Sequence, residues 1–586
     1  MGEGLAVLLL VTKDLFDHID NFLLVAVALV FALFMARPLS AFMRRVEGAA
    51  EKFGRRPLLS LASVFLFGVM FRVALLPIAP VPAPQAHDEF SYLLSADTFA
   101  HGRLTNPTPA MWKHIESFHV IVMPTYQSQY PPGQGLLLAL GQVLGHPFIG
   151  VVLGTALMCA VLTWALRGWM SPKWSLIAGF LMALKYCGSH YWTNSYWGGA
   201  LAVTGAALVF GAAGRLMKQR SARDAALMAL GAMVLANTRP YEGLVFVVVI
   251  GGWVMWRAVR DRWPLMDFTR RVAVPASVVV VLIGSWMAYY NWRVTGSATT
   301  MPYEINIQQY KYARPFLWQR PVKVPEYRTV EFKRYFAWEL YGWEAAQTPE
   351  GLRNLTWYRT KSYYDRYVYP MLVPFLIAAV LLWRGKRYRI LLLAALAMWV
   401  AVLVESWGPN EHYLGPALPV LLTIIIFGMR YLRLWKTNTH LGLHWSRVLL
   451  LFFAFQMIGE NVEHAIHERE SPVKYPEQRL KLTQELEKLP GKDLVVVRYG
   501  PNHDFHHEWV FNGAAPDDAP VVWARELSPE ENGKLFQYYH DREVWVVNAD
   551  EQDPRLQALD RREIQQRSVT ASSTEETIVG APPLTK

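Results

Sequence analysis

Two adjacent carboxylates, Asp88 and Glu89, open the segment HDEFSYLLSADTFAHGRLTNP, which begins at His87. They follow a proline-broken stretch, PIAPVPAPQ, and precede residues with helical, apolar-faced spacing. Such a pair at a membrane surface suits a general base or a site for a metal cation. The competing reading is a helix start, with Asp88 as the cap and Glu89 complementing the N-terminal dipole. A cation is available in Arg239, within ANTRPYEG, where Pro240 marks a helix break between apolar segments. An arginine there is costly unless paired or functional, and Glu242 is the partner a structural role would give it. Arg72 and Arg103 are the other candidate cations, and Arg72 could simply snorkel to the interface.

Aromatic and amide groups gather in the neighbouring loops. FHVIVMPTYQSQYPPGQG, from Phe118, carries Tyr126 and Tyr130, and Tyr92 lies just ahead of it. The hairpin YCGSHYWTNSYWGG, from Tyr186, adds His190, Asn194, Tyr196 and Trp197. Rings of this kind stack on the C–H faces of a sugar while amides bond its hydroxyls. Belt aromatics at the membrane interface are the alternative. The long basic segment from Tyr289 contributes Tyr303, Tyr310 and Lys311 as candidate acceptor or donor contacts. SWGPNEHYLGP, from Ser406, brings His412 to the same side, where it could join Asp88 and Glu89 around a divalent cation, although no local ligand spacing supports this. HDFHHE, His503–Glu508, keeps its ligands in one loop and reads as a solvated turn. Cys159 lies in a span and Cys187 beside one, so no disulfide framework is expected.

The elements that must hold these residues are membrane spans. Of the 586 residues 53% are hydrophobic, with 23 Trp, 27 Tyr and 28 Phe. The apolar residues recur in about a dozen blocks of spanning length, such as NFLLVAVALVFALFMA from Asn21. That excludes a soluble enzyme, a simple channel and a disordered scaffold. The net charge of +11 is unevenly placed: from Glu460 onward there are 15 basic and 24 acidic residues. The surplus cations sit in short loops at Arg37–Arg56, Arg215–Arg223, Arg257–Arg271, Arg384–Arg389 and Arg430–Lys436. These loops are expected to face the cytoplasm, anchored to anionic lipid, with no nucleic-acid partner. Residues of about 80–145, about 291–367 and from about 460 then lie outside. Leu5–Val11 is too short and lacks the basic leader of a cleavable signal peptide. The fold expected is a polytopic α-helical membrane protein of about 11–13 transmembrane helices with a C-terminal extracytoplasmic α/β domain. Residues 1–56 carry an extra span, about Asn21–Ala36, and a cytoplasmic loop. Residues 57–459 form the membrane domain. In residues 460–586, strands are expected at Asp493–Tyr499, from Pro520 and from Glu543, with helices from Pro476 and around Pro529–Tyr539. Ser568–Lys586 reads as disordered.

The arginine near the outer end of a span (Arg72), the Asp88–Glu89 pair opening a long first outer loop, the aromatic loops and the soluble tail resemble the GT-C-fold glycosyltransferases. Within them the chain is most similar to the bacterial branch grouped with the dolichyl-phosphate-mannose-protein mannosyltransferase and lipid A aminoarabinose transferase superfamily. HDEFSYLL, TFAHGRLTNP and YPPGQG are like those of an uncharacterised bacterial group, over about Arg72–Phe210. The resemblance implies an inverting transfer from a polyprenyl-phosphate sugar to a glycan, lipid or protein acceptor, at the outer face of the bacterial inner membrane. It implies a first-loop carboxylate, Asp88 before Glu89, as base or metal ligand. The leaving phosphate requires a cation, for which Arg239 ranks ahead of Arg72 and Arg103. A transporter or flippase is the other class a dozen spans would fit, but transporters concentrate ionisable groups near the midplane rather than in outer loops.

Overall fold

The computed structural model describes residues 40–559, apart from 370, 386–387, 436–440 and 471–474. The expected first span and the Ser568–Lys586 end lie outside the described residues. Prolines set the starts of many helices, since their fixed φ and missing N–H cost nothing in a first turn. Pro57–Leu75, Pro147–Leu166, Pro172–Tyr186 and Pro240–Arg260 all begin this way.

Six helices among the described residues are long and apolar enough to cross a membrane: Pro57–Leu75, Pro147–Leu166, Pro240–Arg260, Leu265–Thr295, Glu411–Leu434 and Gly442–Arg469. A bent pair, Pro349–Tyr367 with Leu372–Arg384, brings the number to seven. The chain is thus a multi-pass helical membrane protein, with fewer full-length spans than the apolar blocks led us to expect. The reason is that several blocks fold into shorter helices: Pro172–Tyr186, Ala200–Leu216, Ala222–Ala236 and Arg389–Leu403 have 15, 17, 15 and 15 residues. Glu411–Leu434 is buried along its whole apolar window and runs through the centre of the bundle. Around it Phe210, Ile424, Ile425 and Met398 belong to one continuous apolar core.

Outside the bundle, the first loop folds as a helix, His87–Ala100, followed by a short antiparallel pair. The pair joins β1 (Val120–Ile121) to β2 (Gln127–Ser128), and the chain then re-enters through the helix Pro132–Val143. The second outer segment holds the helices Pro302–Tyr310 and Val330–Glu339. The last long helix, Leu441–Glu470, continues ten residues beyond position 460, where the tail was expected to begin. Its polar end, NVEHAIHERE, contains no glycine or proline to stop it.

The tail is a parallel sheet with helices Tyr475–Leu486 and Pro529–Tyr538. β3 (Asp493–Arg498) lies between β4 (Val521–Arg525) and β5 (Glu543–Asn548), parallel to both, and β6 (Gln557–Ala558) pairs antiparallel with β5. β-Branched runs such as LVVV suit strands buried on both faces, and Leu494–Val497 are buried. The tail seats on the first loop. Phe90 stacks on Phe511 at 4.8 Å, Asp97 accepts from the Ala514 N–H at 2.7 Å, and the His114 ring lies 2.9 and 3.2 Å from the Arg525 and Glu531 carbonyls.

Candidate active site

The two neighbouring carboxylates have opposite fates. Glu89 is 4% exposed and accepts three backbone N–H groups, from Gln85 (2.7 Å), Ala86 (2.9 Å) and Tyr196 (2.8 Å). It caps its own helix, as the third helical residue does in a capping box, and fastens the 187–199 hairpin to it. Burial pushes its carboxyl above the ordinary range against those N–H groups, which favour the anion. Both oxygens of Glu89 thus serve backbone N–H groups, a structural task in the place where a second catalytic carboxylate was expected. Asp88 keeps a side chain 32% exposed. Tyr130 donates its hydroxyl to Asp88 Oδ1, and His119 Nε2 lies 3.9 Å from Oδ2.

His119 was not singled out from the sequence. It is fully buried, with Nδ1 2.7 Å from Gln129 Nε2 and Nε2 3.0 Å from the Tyr335 hydroxyl. Burial, then the nearby Lys311, holds its imidazole well below the usual range, so it is neutral beside Asp88. Its φ of 59°, uncommon for a non-glycine residue, is the kind of backbone outlier held in place at functional sites. Burial and the field of Asp88 push the Tyr130 hydroxyl up, so it donates and does not ionise.

Opposite Asp88 stands Arg239, immediately before the helix Pro240–Arg260. Its Nε has no partner among the described residues. Its guanidinium lies over the Tyr413 ring at 4.9 Å, and Glu242 reaches it only through the longer-range field. The expected structural pairing with Glu242 is therefore not made. Tyr92 stacks on Tyr130 at 4.6 Å, and Tyr92, Tyr191 and Tyr413 each lie in the fields of both Asp88 and Arg239. Asp88 and Arg239 thus flank one cluster of tyrosines, and near it Trp197 and His412 meet edge to face at 5.2 Å.

The remaining candidates lie elsewhere or are already engaged. Arg72 is fully buried and donates to the Ala79 carbonyl (2.8 Å), the Pro80 carbonyl (3.2 Å) and Asn194 Oδ1 (3.2 Å). Asn194 donates in turn to Glu468, so Arg72 and Asn194 form a buried clasp, not a phosphate or sugar contact. Arg103 follows the far end of the helix His87–Ala100, about 18 Å from Asp88 at 1.5 Å per residue, too distant for the same phosphate. Tyr126 donates to the Asn512 carbonyl at 3.1 Å and serves the tail contact. His190 pairs with Glu411 at 3.3 Å. Tyr303 lines a separate cavity. The HDFHHE segment is no solvated turn: the His87 ring bonds the Phe505 carbonyl at 2.7 Å, His506 stacks over His87, and Glu508 pairs with buried Arg525. Sequence spacing carries no trace of this docking, because its partners are more than 400 residues away.

A divalent cation does not fit these side chains. Among the described residues no three His, Cys, Asp or Glu groups gather. Glu89 is spent on backbone, and His412 Nδ1 lies 2.9 Å from the Tyr191 hydroxyl, which leaves Asp88 alone.

Fold and site together define a class: a multi-pass helical membrane protein whose α/β tail seats on its first large loop, beside a tyrosine cluster flanked by a carboxylate and a guanidinium. No family model matches the chain. A curated relative, phosphatidylglycerol–prolipoprotein diacylglyceryl transferase 2 of Streptomyces coelicolor, is 24% identical over 215 residues, 36% of this chain. The chain spans about half of that enzyme's length, 48%. Among solved structures, the chain is similar to the Archaeoglobus fulgidus oligosaccharyltransferase over 83% of its own length and 67% of that chain (13% identity, TM-score 0.46). It is also similar to ArnT from Cupriavidus metallidurans, solved with undecaprenyl phosphate, over 84% of its length and 92% of that chain (15% identity, TM-score 0.45). Both are membrane glycosyltransferases of the GT-C fold.

Proposed function

We propose that the protein is a glycosyltransferase of GT-C type that moves a sugar from a polyprenyl-phosphate donor to an acceptor hydroxyl at the extracytoplasmic face of the bacterial inner membrane. The observation that carries this reading is Arg239, whose guanidinium makes no side-chain hydrogen bond or ion pair among the described residues and shares with Asp88 the neighbourhood of Tyr92, Tyr191 and Tyr413. A permanent, half-buried cation without a bonded carboxylate is costly, and an anionic ligand offsets that cost. A phosphate monoester or diester suits a planar guanidinium.

In this reading the acceptor oxygen attacks the anomeric carbon. Its proton passes to the free oxygen of Asp88, whose other oxygen Tyr130 holds. The bond from the anomeric carbon to the phosphate oxygen breaks with inversion, and its electron pair leaves on the lipid phosphate beside Arg239. Tyr92, Tyr130 and Trp197 offer ring faces for the sugar. Glycan, lipid and protein acceptors all fit this chemistry. The two histidines facing Asp88, His87 and His119, are held neutral by burial, His87 down to about 3, and so do not compete as cations for the phosphate.

Native mass spectrometry of the full chain purified from its own membranes tests this. Wild type should carry polyprenyl phosphate or its sugar adduct, Asp88→Asn should accumulate the sugar-loaded form, and Arg239→Gln should lose the lipid. Protein free of isoprenoid phosphate in all three samples, with protein-dependent uptake of a solute into proteoliposomes, would point to the transporter.

A further inference from the structure

A cavity of about 530 Å³ lies in the second large loop, and neither Asp88 nor Arg239 is among its lining residues. Its wall includes Tyr303, Glu304, Gln308, Arg314, Gln319 and Arg320. Two guanidiniums, two amides and a phenol against one carboxylate make a donor-rich surface. Neither Arg314 nor Arg320 makes a side-chain hydrogen bond or ion pair among the described residues, and Glu304 bonds neither of them. Two like charges left facing one cavity repel each other, and a multi-oxygen anion relieves that repulsion while filling their donors.

The wall is built rather than loose. Ser406 donates its hydroxyl to the Arg314 carbonyl at 2.6 Å and its N–H to the Pro315 carbonyl at 2.8 Å. Leu317 donates to the Val404 carbonyl at 2.9 Å, and Phe316 packs on Tyr241 at 4.7 Å. These contacts tie the segment to the ends of two apolar helices, Arg389–Leu403 and Pro240–Arg260. Gln319 uses its Oε1 on the Phe316 N–H at 3.3 Å, leaving its amide N–H groups for a ligand. Trp318, 65% exposed, stacks on Phe316, and Val322 and Val324 are exposed beside it, as residues at a lipid surface are.

We propose that this cavity binds a phosphate-bearing headgroup, held by Arg314 and Arg320. The headgroup belongs either to an anionic phospholipid or to a soluble phosphate ester, and the site stands whether or not the Arg239 recess takes an isoprenoid phosphate. The test uses the full chain in nanodiscs, as wild type, Arg314→Gln/Arg320→Gln and Arg239→Gln. One arm uses equal parts phosphatidylcholine and phosphatidylglycerol and counts retained phosphatidylglycerol by native mass spectrometry. The other uses phosphatidylcholine alone and titrates glycerol 3-phosphate.

Loss of about tenfold in either ligand's retention in the double variant, with Arg239→Gln unchanged, supports the site and names the source. The single exposed variant Arg320→Gln, with a thermal midpoint equal to wild type, guards against misfolding of the double variant. Retention of both ligands independent of the two arginines overturns the proposal. Loss of both ligands in Arg239→Gln as well would also overturn it, because the two sites would then be one.

Discussion

Two regions of this protein each place an arginine near the end of an apolar helix, and they treat it oppositely. Near the end of Pro57–Leu75, Arg72 is fully buried and donates to two backbone carbonyls and to Asn194. At the break before Pro240–Arg260, Arg239 meets an aromatic face and makes no side-chain hydrogen bond or ion pair among the described residues. The same contrast recurs one residue apart in Asp88 and Glu89. A charge whose bonding capacity is used by backbone holds the fold together. A charge that makes no hydrogen bond or ion pair within the fold is placed for something that comes and goes.

Removing Arg72 should do the most damage to the fold. Arg72→Leu strands two carbonyls and the Asn194 amide in a buried place, and about 3 kcal/mol of stability is expected to go. Tryptophan fluorescence during heating in detergent would show it; an unchanged midpoint with loss of bound lipid would reverse the roles given to the two arginines. Next comes Glu89→Gln, which turns one acceptor into a donor against backbone N–H groups and should cost about 2 kcal/mol. Asp88→Asn should stay within about 1 kcal/mol of wild type while stopping turnover, and equal destabilisation by both would erase the distinction between them.

Acid should loosen the tail contact by a similar amount. His87 titrates near 3 in the fold because it is buried, against about 6.5 when unfolded. Above pH 6.5 both states hold it neutral and it contributes no pH dependence. As pH falls toward 3 only the unfolded chain takes up the proton, so stability is lost across that window, about 2 kcal/mol by pH 5. Thermal midpoints at a series of pH values, compared with His87→Gln, would isolate the effect: the variant should show a flatter acid limb.

Arg239→Gln should leave the midpoint in place and reduce lipid-phosphate retention about tenfold, near 1.4 kcal/mol. A lower midpoint with full retention would make Arg239 another Arg72. The smallest effect expected is Tyr126→Phe, which removes one hydrogen bond to the Asn512 carbonyl for about 1 kcal/mol and should speed proteolysis of the tail without touching bound lipid.

The alternation of strands and helices in the tail was legible because short β-branched runs and a capped helix announce themselves locally. The first-loop helix, the Asp88–Glu89 start and the break at Arg239 were legible for the same reason. The number of long spans was not, because hydropathy marks apolar residues without saying whether lipid or protein covers them. Ala200–Leu216 is nearly all buried against other helices, and its apolar run is shorter than a bilayer crossing needs.

Composition and spacing by themselves determined a membrane protein, a basic bundle with an acidic tail, and a set of charged and aromatic residues with the chemistry for sugar transfer. Only the tertiary structure decided which of those residues are free to act. Whether a carboxylate or guanidinium is spent on backbone or left open depends on what stands within about 3 Å of it. For Arg72, Glu89, Tyr126 and His87 those neighbours come from Asn194, Tyr196, Asn512 and Phe505, brought there by the folding of the chain and unmarked by any pattern along it.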